Sequence, residues 1–293
     1  MRDPTDPGPQ IPDSDMIRLL AIDIDGTLLD SEGRVPDANV RALAKASEAG
    51  VEIALATGRR YEFARPVFEP LPGPLTLILN NGAIVKTRTG ETLARHPLPR
   101  DIARDLLTRV PNCRDGAAVT FDRPGAQVVF ETIDWNHPRH HRFFAANRPY
   151  LGESNPLEDC LTEDPLQLMF SGGCADMRAV FDALQVPARE GLCSVSLTEY
   201  LRRDFSLVDI LRAGVSKGST LRAWAEQRGF GSEDVMAIGD NHNDVEMLEF
   251  AGTAVVMGNA CAELKTRGWA ETGSNDDCGF AQAVETFILH EAS

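Results

Sequence analysis

The chain has 293 residues, 43% of them hydrophobic and 25% charged, and a formal net charge of -15 at pH 7. That length holds one large domain or two smaller ones, each with its own core. The acidic balance speaks against nucleic acid or an anionic membrane surface as the main partner, and no apolar run approaches the roughly 18 residues that cross a bilayer.

A bound metal and a few local cations still allow an anionic substrate inside one cleft. Residues 1–15 are rich in Pro and Asp, lack the pattern of a signal peptide, and read as a disordered leader. Six scattered cysteines with no C-x-x-C pair indicate reduced thiols in a cytoplasmic setting, not a disulfide framework or a zinc site.

The predicted elements first alternate strand and helix. The apolar run 17–22 reads as a strand buried on both faces. Asp37 is placed to cap a helix that Gly50 ends, and strands follow at 51–56 and 75–79 around a short helix over 61–68. This rhythm predicts an open, doubly wound parallel sheet. From about Ala83 the texture changes to alternating segments at 117–121, 127–132, 166–170, 195–201 and 206–211, interleaved with helical patterns at 102–110 and 177–184. From Ser216 the first texture returns: a helix capped by Ser216, a strand over 235–238, a helix over 245–250, a strand over 253–257 and a closing helix over 281–289. The expected fold is α/β, a Rossmann-like core of residues 16–82 and 212–293 interrupted by an inserted α+β domain over 83–211.

Polar groups gather where these strands end, which is where open α/β sheets bind ligands. The first strand runs into Asp23-Ile24-Asp25-Gly26-Thr27, where one carboxylate can attack while its neighbour moves protons. The second ends in Thr57-Gly58-Arg59, whose hydroxyl and backbone N–H suit a phosphate oxygen, and the third in Asn80-Asn81-Gly82. Turns or helix caps would account for each of these taken singly. Lys217 sits at the positive end of a helix, which makes sense if it reaches an anion; a solvated lysine is the alternative. Gly239-Asp240-Asn241-His242-Asn243-Asp244 offers oxygen ligands to a hard cation, against the plainer reading of an Asp-rich turn.

Together, Asp23-Ile24-Asp25-Gly26-Thr27-Leu28, Ala56-Thr57-Gly58-Arg59, Val215-Ser216-Lys217-Gly218 and Gly239-Asp240-Asn241-His242-Asn243-Asp244 resemble the four motifs of the haloacid dehalogenase-like hydrolases. About 34 residues separate the first two motifs and about 160 the second and third, so the insertion resembles a type IIB cap. Asn81-Gly82, Met257-Gly258-Asn259-Ala260 and Asn275-Asp276-Asp277 with Gly279 are similar to marks of the Cof-type sugar-phosphatase branch.

The resemblance implies a phosphatase acting on a small phosphorylated metabolite, a sugar phosphate above all. Asp23 would become an aspartyl-phosphate and Asp25 would serve as acid and base. Mg2+ would lie among Asp23, the Asp25 carbonyl, Asp240 and Asp244. Thr57, Gly58, Lys217 and Asn243 would hold the phosphoryl oxygens, with Arg59 and Asn81 as possible substrate contacts. A phosphomutase or phosphotransferase using the same intermediate is the alternative, and a non-catalytic phospholigand-binding module a further one. Within the insertion Trp135, His137, His140, His141, Arg142, Tyr150 and Tyr200 are conceivable contacts, but surface or packing roles account for each equally well.

Overall fold

A computed structural model describes residues 16–138, 140–200 and 204–290. The expected leader, the final residue of the strand predicted over 195–201 and the Arg142 side chain lie outside the described residues.

The first sheet grows from β1 (Leu19–Ile22), whose residues are all buried. Then come α1 (Asp37–Glu48), β2 (Glu52–Ala56), α2 (Tyr61–Phe68) and β3 (Leu75–Leu79), followed by a hairpin of β4 (Ile84–Thr87) and β5 (Thr92–Arg95). The chain then builds a second unit from α3 (Arg100–Arg109), β6 (Ala117–Thr120), β7 (Val128–Phe130), α4 (His141–Asn147) and β8 (Leu151–Glu153). Its second half is β9 (Gln167–Gly172), α5 (Cys174–Arg189), β10 (Cys193–Tyr200) and β11 (Phe205–Arg212). The first unit is completed by α6 (Lys217–Gln227), β12 (Val235–Gly239), α7 (Val245–Phe250), β13 (Thr253–Val256), α8 (Ala262–Lys265), β14 (Ala270–Glu271) and α9 (Gly279–Phe287).

The strands form an eight-stranded sheet, ordered β14-β13-β12-β1-β2-β3-β4-β5, and a six-stranded sheet, ordered β10-β11-β9-β6-β7-β8. Pairing is parallel from β14 to β3, and β1 lies between β2 and β12. The chain therefore leaves β1 in one direction along the sheet and later returns on its other side, so the carboxyl end of β1 is the switch point where such sheets bind ligands. Alternate residues of each strand serve opposite faces. Leu20, Ile22, Leu55, Leu77 and Ile238 pack with residues of α1, α2 and α9. Leu19, Ala21, Ala54, Ile78 and Ala237 pack with residues of α6, α7 and α8.

Two expectations need correcting. The inserted unit was expected to begin at Ala83, but β4 and β5 continue the first sheet as antiparallel strands. The reason is local: positive φ at Asn80 (49°), Asn81 (52°) and Gly82 (103°) folds the chain straight back along β3. Asp37 does not cap α1 with its side chain; Pro36 precedes the helix in an extended conformation, and Asp37 is its first residue. An acidic group in the first turn still favours the positive end of the helix.

In the second unit, Leu168, Phe170, Val208, Ile210, Val119 and Val129 pack with Leu106, Leu107, Val180 and Leu184 of α3 and α5. Helices α3 and α5 thus cover one face of the six-stranded sheet, and the other face, where Phe144 of α4 packs with Ala118, Val128 and Phe130, turns toward the first unit. All six cysteines are free. Among the described residues no helix is long and apolar enough to cross a membrane.

Candidate active site

Asp23 leaves β1 with its backbone N–H donating to the Ile238 carbonyl of β12 at 3.1 Å, which holds it on the sheet edge. Its side chain is 4% exposed, and its Oδ1 accepts a hydrogen bond of 2.6 Å from Lys217 Nζ. The same ammonium donates to Asp244 Oδ1 at 2.7 Å. Lys217 stands at the start of α6, where Ser216 caps the helix and Ser219 returns the bond. Buried as it is, this lysine is not the solvated one of the alternative reading. Burial draws its pKa down, but Asp23 and Asp244 push it above the usual lysine value, so it is charged throughout the neutral range.

Asp240 directly follows β12, and Asp244 braces it from behind. Asp244 Oδ2 accepts from the backbone N–H groups of Asp240 and Asn241 at 3.1 Å each. With Oδ1 held by Lys217, both oxygens of Asp244 are engaged. Oxygens of Asp23, Asp240 and Asp244 lie within 4.8 Å of one another. Three carboxylates against one ammonium leave two negative charges in a buried place. Burial first, then Asp244 and Asp25, pushes the Asp23 carboxyl up to about 7 despite the pull of Lys217. Burial also raises Asp240 well above the usual carboxylate range, and its Oδ1 is buried without a hydrogen-bond partner. An orphaned carboxylate oxygen among anionic neighbours fits a hard divalent cation, which takes oxygen ligands and offsets that charge.

Asp25 is turned toward the second strand end. Arg59 Nε and Nη2 grip its two oxygens at 2.8 and 2.6 Å, and the guanidinium lies 4.6 Å from the Phe63 ring centroid. Thr57 is buried at the end of β2, with its Oγ1 accepting from the Arg59 N–H at 3.1 Å. Gly58 has no room to spare, because a Cβ there would sit 3.2 Å from the Asn81 side chain. Asn81 links three segments: its N–H donates to the Thr57 carbonyl, its Oδ1 accepts from Asn243 Nδ2 at 3.1 Å, and its Nδ2 donates to Asp209 Oδ2 at 2.8 Å. Asp23, Asp25, Thr57, Gly58, Arg59, Asn81, Asp240 and Asn243 line one cavity between the two sheets, with Lys217 and Asp244 bonded to its floor.

Gly26 makes this floor possible. Its φ is 87°, and a Cβ would run into the Asp240 carboxylate. Asn259 Nδ2 donates to the Gly26 carbonyl at 2.8 Å, and Asn275 secures Asn259 and the Leu29 carbonyl, which gives both asparagines a bracing part. Gly26→Ala is expected to lower stability by about 1–3 kcal/mol in urea unfolding, from backbone strain and displacement of Asp240. An unchanged midpoint would show that the loop accepts a side chain.

Three contributors were not legible in the sequence. Asp209, on β11, is 4% exposed and also accepts from Gln167 Nε2 of β9 at 3.0 Å. Arg60, 7% exposed, donates to Gln127 Oε1 at 2.9 Å and to Asn147 Oδ1, and lies 4.3 Å from the Tyr150 ring centroid. It ties the Thr57 loop to the second unit. No local signal separates Asp209, Gln167 or Arg60 from ordinary strand or loop polar residues.

Comparison with known proteins agrees with this geometry. The family model described as haloacid dehalogenase-like hydrolase matches residues 20–284. A pyridoxal phosphate phosphatase of Escherichia coli, YbhA, is 29% identical over 93% of this chain and 99% of its own. An HMP-PP phosphatase of Serratia proteamaculans is 31% identical over 86% of this chain and 87% of its own. A haloacid dehalogenase-like hydrolase from B. subtilis shares the fold with a TM-score of 0.77 at 24% identity, covering 92% of this chain and 99% of that one. With its motif residues brought together at one sheet edge and the family match running over residues 20–284, this chain belongs to the haloacid dehalogenase-like hydrolases and is a phosphatase of that family.

Proposed function

We propose that this phosphatase hydrolyses small phosphomonoesters with Mg2+, through an aspartyl-phosphate on Asp23. The observation that carries this reading is the buried Asp23–Lys217 contact beside an acidic cluster, at the switch point of the sheet. The eight-stranded unit carries the chemistry, and the six-stranded unit is the cap that covers the leaving group. The relatives named above act on pyridoxal phosphate and on HMP-PP, which supports a small phosphorylated metabolite as substrate. A cytoplasmic setting is part of this proposal.

In the first step an Asp23 oxygen forms a bond to phosphorus as the bond to the leaving oxygen breaks. Asp25 gives that oxygen its proton. In the second step Asp25 takes a proton from water, the water oxygen attacks phosphorus, and the Asp23 carboxylate departs. Arg59 holds both Asp25 oxygens here, so the pair opens when substrate arrives and Arg59 turns to the substrate. Lys217, Thr57, the Gly58 N–H and Asn243 hold the transferring oxygens in place. Asp23, Asp240 and the Asp25 carbonyl would hold Mg2+, with Asp244 behind them; when bound, the ion neutralises charge on the phosphoryl group.

Phosphate release is expected to fall about 100-fold or more on chelation and to return with added Mg2+. Metal-independent turnover would remove Asp240 from this role.

A further inference from the structure

The end of β10 carries Tyr200 from the second unit onto the rim of the acidic site. Along this strand Leu197 packs into the core under α3 and α5, whereas Thr198 and Tyr200 line the cavity, as alternation requires. The strand end is fixed from two sides. Asn241 Nδ2 donates to the Glu199 carbonyl at 3.3 Å, and Arg178 of α5 grips the Glu199 carboxylate. Asn241 directly follows Asp240, so this bond sets the end of β10 in register with the acidic cluster. Across the hairpin Tyr200 pairs with Phe205, and its ring stacks on that of Phe205 at 6.0 Å with 22° between planes.

Packing accounts for the Tyr200 ring but not for its hydroxyl. The residue is only partly buried, on the cavity wall, and its hydroxyl has no hydrogen-bond partner among the described residues. Asp25 acts on the phenol more strongly than the other carboxylates do, yet Arg59 already holds both Asp25 oxygens, at 2.8 and 2.6 Å. Burial first, then Asp25, Asp23 and Asp240, push the phenol above its ordinary pKa against the pull of Arg59. The hydroxyl therefore keeps its proton throughout the neutral range and can serve as a donor.

The charged groups acting on this phenol are the same ones that would surround a transferring phosphoryl group. Lys217, Thr57, the Gly58 N–H and Asn243 would hold that group from the first unit alone. A donor that no protein group takes, set beside the same place from the other unit, suits an anionic oxygen.

We propose that Tyr200 is a further catalytic residue, supplied by the cap, whose hydroxyl donates to an oxygen of the phosphoryl group and stabilises its charge during transfer. No bond forms or breaks at Tyr200, and the hydroxyl keeps its proton in both steps. The proposal rests on the cleft being the phosphatase site. It makes the rate depend on how the end of β10 is seated, because the other donors to that group belong to the first unit.

The test compares wild type and Tyr200→Phe, a variant that keeps the ring and its stack on Phe205. Phosphate release is measured with Mg2+ on p-nitrophenyl phosphate, pyridoxal 5′-phosphate and glucose 6-phosphate, beside inhibition by orthovanadate and urea unfolding. The variant is expected to lose about 10- to 100-fold in kcat/KM, mostly in kcat, by the same factor on every substrate that wild type turns over. Orthovanadate, which can take the five-coordinate shape of the transferring group, should inhibit it at least about 10-fold less tightly. The unfolding midpoint should not move. Undiminished turnover overturns the proposal. So does a loss that differs between substrates, which would place the hydroxyl on the leaving group. A lowered midpoint, or a variant that does not fold, would make the hydroxyl structural and overturn it as well. Release by wild type from none of the three substrates would overturn the phosphatase reading of the cleft itself, a result distinct from these.

Discussion

Asp23→Asn is expected to lower phosphate release by about 10^4-fold or more while the protein keeps its fold. Asn offers no anionic oxygen to attack phosphorus, so the covalent step is lost. The shape change is small, and the Asn oxygen can still accept from Lys217, whose ammonium lies 2.6 Å from Asp23 Oδ1. Removing one of three clustered carboxylates also relieves repulsion, so stability is expected to hold or rise. The measurement pairs phosphate release with urea unfolding. Activity near wild type in a folded variant would end the covalent mechanism. A collapse of stability would mean instead that Asp23 is chiefly the counter-charge that keeps Lys217 buried.

Lys217→Met carries the opposite pair of expectations, with both activity and stability falling. Methionine fills a similar volume but leaves Asp23 and Asp244 without their shared cation in a buried site. Breaking such a pair from one side costs about 3–5 kcal/mol, because the remaining charge stays desolvated. The sign with pH follows from the raised pKa of the ammonium. Its stabilisation is complete below the ordinary lysine value and is lost only as pH rises through the higher folded value. The full loss should therefore appear in unfolding at pH 7. Phosphate release should drop too, since the ammonium is placed to neutralise the transferring group. A variant as stable as wild type would show that the carboxylates bear burial by taking up protons.

Much of the site was legible because strand ends in a doubly wound sheet share one edge. Asp23, Thr57, Asn81 and Asp240 each follow an apolar run, and that placement alone brings them within one cavity. The same logic does not reach Lys217, for which an anion-binding and a solvated reading both stood. Lys217 opens a helix, and whether its side chain enters solvent or the sheet edge depends on how α6 packs beside β1. Its two bonds to Asp23 and Asp244, 194 and 27 positions away, have no local signature. Residues 84–95, not read as strands from the sequence, were placed in the inserted unit for a similar reason, although they form β4 and β5 of the first sheet. Period-2 patterning marks a strand but does not say which sheet it joins; the left-handed residues at Asn80 and Asn81 decided that.

The sequence by itself determined the family, the alternation of strand and helix, and the carboxylates, amides and lysine of the motifs. These depend on short-range spacing, since burial on both faces demands apolar runs and a sharp turn at Gly26 demands positive φ. Only the tertiary structure decided which face of β9 and β11 the helices α3 and α5 cover. That choice sends Leu168 and Ile210 into a core and turns Gln167 and Asp209 toward Asn81. Side chains alternate along a strand, so the pattern names two faces but not their neighbours. The neighbours are set by packing between segments more than 100 residues apart, as Asn81 and Asp209 are at a separation of 128.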